Sequence, residues 1–138
     1  MTFLVDTNVI SELRKGTACN KNVARWYASV DGNDLYLSVL VLGEIRKGVE
    51  SLRRRDAGRA NELDAWLHDV ERAFAGRIFP VDEAIAEVWG RMNAARDYPT
   101  VDSLLAATAQ VHRKTLVTRD TADVEGLGVS LLNPFKPG

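Results

Sequence analysis

Acidic residues stand at four separated places in this chain. Asp6 directly follows the apolar run Phe3-Leu4-Val5. Glu44 lies six residues beyond Ser38, which itself follows Leu35-Tyr36-Leu37. Asp102 opens a helical stretch after Pro99-Thr100, and Asp120 follows Leu116-Val117-Thr118 after one intervening residue, with Asp123 close behind. Each has an ordinary reading: Asp6 and Asp120 as helix N-caps, Asp102 as an acid favoured by a helix N-terminus, Glu44 as a solvated helix residue. The combination reads differently. Carboxylates gathered within ~5 Å repel by about 3 kcal/mol per close pair at an effective dielectric of 20, so such a cluster takes up protons or holds a cation. An oxygen-only donor set points to Mg²⁺ or Mn²⁺ rather than Zn²⁺. A divalent ion in a carboxylate cage suits phosphodiester hydrolysis.

The elements that must gather these acids are legible as alternating periods. Short strands are expected at Phe3–Val5, Leu35–Leu37, Arg77–Phe79, Thr115–Thr118 and Val129–Leu132, each bounded by turn residues. Between them the apolar spacing is helical. Val23, Trp26, Tyr27 and Val30 share one face, and Leu42, Ile45, Val49 and Leu52 another. Leu63, Trp66, Leu67, Val70 and Phe74 form a third, and Ile85, Val88, Trp89 and Met92 a fourth. Asp82 and Thr100 read as helix caps. Alternation of this kind predicts an α/β fold whose mainly parallel sheet is covered on both faces, with ligands beyond the carboxyl ends of the strands.

The chain has 138 residues, 46% of them hydrophobic and 27% charged, which suits one domain over residues 1–138 and excludes a disordered tail or a membrane bundle. A lone Cys19 excludes a disulfide framework and a multi-cysteine metal site. With 18 basic against 19 acidic residues the net charge is −1, so any basic surface must be local. Asp6 breaks the first apolar run at once, which argues against a signal peptide. No stretch approaches a membrane span, so a cytoplasmic protein is the expectation.

Four segments, in order, resemble the motifs of the PIN domain family, and within it the VapC-type ribonuclease toxins of type II toxin–antitoxin systems. They are Phe3-Leu4-Val5-Asp6-Thr7-Asn8-Val9-Ile10-Ser11-Glu12-Leu13, Ser38-Val39-Leu40-Val41-Leu42-Gly43-Glu44-Ile45-Arg46-Lys47-Gly48, Asp102-Ser103-Leu104-Leu105-Ala106-Ala107-Thr108-Ala109, and Leu116-Val117-Thr118-Arg119-Asp120 with the closing Asn133-Pro134-Phe135. The resemblance implies a five-stranded parallel sheet flanked by helices, and Mg²⁺- or Mn²⁺-dependent cleavage of RNA that leaves a 5′-phosphate. It makes Asp6, Glu44, Asp102 and Asp120 the catalytic and metal-binding quartet, with Thr7, Asn8 and Thr118 as polar supports. The last motif departs from the family, where an Asp-Phe pair often stands three residues beyond position 120. Here Asp120 and Asp123 are both acidic and Val124 replaces the aromatic, so Asp123 is a second candidate for the fourth ligand, Asp120 being nearer the strand end.

The resemblance also implies a small cognate antitoxin, a homodimer and a higher toxin–antitoxin assembly. A groove between the N-terminal helices and the helix over residues 41–52, using Trp26, Leu42 or Ile45, is the expected antitoxin seat. Arg46, Lys47, Arg53, Arg54 and Arg119 are the candidate RNA contacts, against the plainer reading of a solvated helix face. His68 and His112 read as solvated surface residues. No Gly-rich phosphate loop of nucleotide-binding type is present. The competing function is a non-catalytic Mg²⁺-binding signalling or scaffold module of α/β fold, which gives Glu44 no role.

Overall fold

The computed structural model describes all 138 residues. Strand β1 (Phe3–Val5) lies at the centre of one parallel sheet and is buried along its whole length. That burial explains why it reads as an unbroken apolar run rather than an alternating one. Beside it run β2 (Leu35–Ser38) and β4 (Thr115–Val117), with β3 (Ile78–Phe79) and β5 (Leu131–Leu132) at the edges, in the order β3-β2-β1-β4-β5. All pairings are parallel. The five expected strands are all present. The edge pair are shorter than their apolar runs suggest, because an edge strand has a partner on one side only.

Six helices cover the sheet: α1 (Thr7–Leu13), α2 (Lys21–Ser29), α3 (Val39–Arg53), α4 (Ala57–Ala73), α5 (Glu83–Met92) and α6 (Thr100–His112). None is long and apolar enough to cross a membrane. Five of them start on a side-chain cap that accepts backbone N–H groups: Asp6 for α1, Asn20 for α2, Ser38 for α3, Asp56 for α4 and Asp82 for α5. Each cap satisfies donors that the helix itself leaves unpaired. Val41, Ile45 and Val49 of α3 and Leu67 and Val70 of α4 join the sheet in the core. Helix α6 packs against β1 and β4, and its run of small residues, Ala106, Ala107 and Ala109, is fully buried.

Four sequence readings change. Thr100 is the first residue inside α6 rather than its cap; Pro99 holds that position, and its ring fixes the φ that leads into the helix. Tyr27 is 48% exposed, because the nine-residue α2 turns only Val23 fully into the core. Ile45 is 4% exposed and belongs to the core rather than to the expected groove, whereas Leu42 is half-buried. Trp26 is half-buried edge-on against Phe3. His112 is not a solvated residue: its ring stacks on Phe79 at 3.7 Å, and its buried Nε2 has no hydrogen-bond partner. His68 stays exposed.

Candidate active site

Register builds the site. Val5 pairs with Val117, so the next residues, Asp6 and Thr118, leave the sheet side by side. The Asp6 backbone N–H donates to the Val117 carbonyl at 2.9 Å, and the Thr118 hydroxyl donates to Asp6 Oδ2 at 2.7 Å. The strand order reverses at this point: β2 and β3 lie to one side of β1, and β4 and β5 to the other. The crevice at the carboxyl ends of β1 and β4 is therefore the topological switch point, where open parallel sheets bind ligands.

Asp6 is buried, and both of its oxygens are engaged. Oδ1 accepts the Thr7 backbone N–H at 2.7 Å, which also caps α1, and Oδ2 accepts the Thr118 hydroxyl. Asn8, in the first turn of α1, donates its amide to Asp120 Oδ2 at 3.1 Å. Its carbonyl accepts the Arg119 backbone N–H at 3.2 Å, which ties the β4 exit loop to α1. The Asp120 N–H donates to the Thr118 hydroxyl oxygen at 3.0 Å, so this one hydroxyl fixes two acids. Thr7 donates its hydroxyl to Glu44 Oε1 at 2.5 Å, which brings α3 to the crevice. Asp102, in the first turn of α6, accepts no hydrogen bond from the protein.

Oxygens of Asp6, Asp102 and Asp120 lie within 4.8 Å of one another. The carboxylate of Glu44 lies outside this trio, held through Thr7. Asp123, in the single 3₁₀ turn Thr121–Val124, also lies outside it and is exposed. Burial raises the pKa of Asp6; the Thr118 and Thr7 donors pull it down, and the charges of Glu44 and Asp120 push it up. Asp102 has no donors to offset its desolvation. Burial first, then the charges of Asp6, Asp120, Asp123 and Glu44, push it up to about 6. The donor set fits a hard divalent cation: three carboxylates close together, oxygen only, with Asp6 and Asp120 held by N–H and O–H groups of Thr7, Asn8 and Thr118.

The basic candidates separate. Arg46 pairs with Asp64 at 2.9 Å and Glu50 at 3.2 Å, and Arg53 pairs with Asp64 and Glu50 at 3.4 Å. Lys47 and Arg54 are exposed and make no ion pair. Arg119 lies over the Phe135 ring at 4.6 Å, beside the acidic crevice, and its carbonyl accepts the Asn133 amide at 3.3 Å. Ser103 was not foreseen as a site residue. It accepts the Trp89 indole N–H at 2.9 Å and donates to the Thr100 carbonyl at 3.1 Å, fixing the first turn of α6 that carries Asp102. Its only signal in the sequence is a polar residue directly beside the acid.

An acidic crevice at the switch point of a five-stranded parallel sheet defines a class, and the comparisons name it: the PIN domain profile matches residues 3–124, and the chain belongs to that family. Among its relatives, Toxin FitB of Neisseria gonorrhoeae is 34% identical over 139 residues, covering 96% of this chain and 98% of that one. VapC ribonuclease Y4jK of Sinorhizobium fredii is 32% identical over 98% of this chain and 99% of its own. The solved structure of FitAB bound to the IR36 DNA fragment contains a chain that superposes with a TM-score of 0.89 at 32% identity, covering 99% of this chain and 98% of that one.

Proposed function

We propose that this chain is a VapC-type toxin, a divalent-metal-dependent endoribonuclease restrained by a cognate antitoxin. The observation that carries the reading is the approach of Asp6, Asp102 and Asp120 to within 4.8 Å, with Glu44 bound to Thr7 beside them. The names of the relatives, a toxin and a VapC ribonuclease, support the same reading. Asp6, Asp102 and Asp120 would hold Mg²⁺ or Mn²⁺, with Glu44 adding charge through the Thr7 link and Asp123 contributing from the rim. When bound, the cation supplies an acidified water and neutralises charge developing on the phosphoryl oxygens.

The chain's own groups do the positioning. Thr7, Asn8 and Thr118 fix the carboxylate orientations of Glu44, Asp120 and Asp6, as donors behind metal ligands do. Asp102 is the acid with no fixed donor; burial and the neighbouring acids push its pKa up to about 6, so a divalent cation would relieve its carboxylate most. A single domain over residues 1–138, a homodimer and a toxin–antitoxin assembly belong to the same proposal. The FitAB assembly on DNA supports the last of these.

The test is cleavage of a mixed RNA pool by the purified chain with Mg²⁺, with Mn²⁺ and with EDTA, beside Asp6→Asn. Cleavage with either metal is expected, with none in EDTA and none by the variant, whose circular dichroism should match the wild type. Metal binding without cutting, in the absence of any inhibitor, would overturn the nuclease reading in favour of a metal-binding signalling or scaffold module.

A further inference from the structure

Helix α3 leads away from the acidic crevice, and its charges are not equivalent. Arg46 and Arg53 turn toward α4, where Asp64 engages both and Asn61 accepts from Arg53 at 2.9 Å. Lys47, Ser51 and Arg54 follow Glu44 at three, seven and ten residues, a spacing that keeps them on Glu44's side of the helix. Both cations are exposed and without an anionic partner. Together with Glu50, Ser51 and Arg53 they line an open depression of about 510 Å³ with no hydrophobic residue in its lining. Glu50 does not cancel their charge, because it is already paired with Arg46 and Arg53.

We propose that Lys47 and Arg54 form a phosphate-binding track along α3 that carries single-stranded RNA into the acidic crevice, while Arg46 and Arg53 only brace α3 against α4. The inference rests on the nuclease reading above and specifies how that site takes its substrate. At about 1.5 Å of rise per residue, Lys47 stands roughly 4.5 Å along the axis from Glu44, and Arg54 roughly 15 Å. These contacts read phosphate and carry no base information.

The experiment compares K47Q/R54Q with R46Q/R53Q. Binding of a fluorescent single-stranded RNA is followed by anisotropy in EDTA across a salt series, and cleavage kinetics are followed with Mg²⁺. Two single-strand contacts should lower the slope of log affinity against log salt by about 1.4 in K47Q/R54Q. In cleavage the same variant should raise KM several-fold with kcat near the wild-type value. R46Q/R53Q should keep both the slope and KM, and lose thermal stability. An unchanged slope in K47Q/R54Q, or an equal fall in R46Q/R53Q, would overturn the track. A wild-type chain that binds RNA with the expected slopes yet never cuts would overturn the nuclease reading and leave the track standing.

Discussion

Thr118 shows how much of the site rests on one hydroxyl. It donates to Asp6 Oδ2 and accepts the Asp120 N–H, and it is buried. Thr118→Val keeps the shape but strips both bonds. Leaving buried polar groups unpaired should cost about 1–3 kcal/mol. Loss of a donor behind metal ligands should reduce metal affinity or activity roughly 10- to 100-fold. Thr118→Ser should restore most of both, so a urea midpoint and a Mn²⁺ titration on the two variants decide whether the hydroxyl matters in this way. At this scale the sequence was informative where acids follow strand ends. Asp6 and Asp120 could be named because a parallel sheet delivers such residues to one edge. That Glu44 stands outside the trio, tethered through Thr7, was not legible, since it depends on how far α3 sits from the crevice.

At the scale of elements, the site depends on α6 lying close to β1 and β4, which its buried alanines allow. Ala106→Leu should overpack that contact at a cost of about 1–3 kcal/mol and shift the first turn that carries Asp102. Cleavage should then fall although the substituted residue touches neither substrate nor metal; a melting curve beside an activity assay separates this outcome from simple unfolding. Strands and helices were readable because the apolar period changes from strand to helix at each boundary. The failures have physical causes as well. Tyr27 fits the helical spacing, but α2 buries only Val23 fully, and Tyr27 lies on the side turned to solvent. His112 looked solvated beside Arg113 and Lys114. The chain turns there through a left-handed Arg113, φ 56°, and the preceding ring is laid onto Phe79.

For the whole molecule, the clustered acids set a conflict between folding and function. An unfolded Asp titrates near 3.9, whereas Asp102 in the fold is pushed up to about 6. Between those values the folded chain holds a proton that the unfolded chain has lost. Without metal, stability is therefore greatest below about pH 4 as far as this group is concerned, and falls as pH rises through 6. A divalent cation needs the deprotonated carboxylates, so its stabilisation should grow over the same window. At about 100 times its Kd, a ligand adds about 2.7 kcal/mol, which for a chain of this size raises Tm by roughly 5–11 °C. Saturating Mn²⁺ should thus raise Tm clearly at pH 7.5 and much less at pH 5. Asp102→Asn should melt higher than the metal-free wild type at pH 7.5, because it removes a half-buried charge that no donor satisfies and that neighbouring acids repel, and it should lose most of the metal response. Equal Mn²⁺ shifts at both pH values, or a metal-free Asp102→Asn less stable than the wild type, would mean that Asp102 is held by contacts of its own rather than kept in place for a cation.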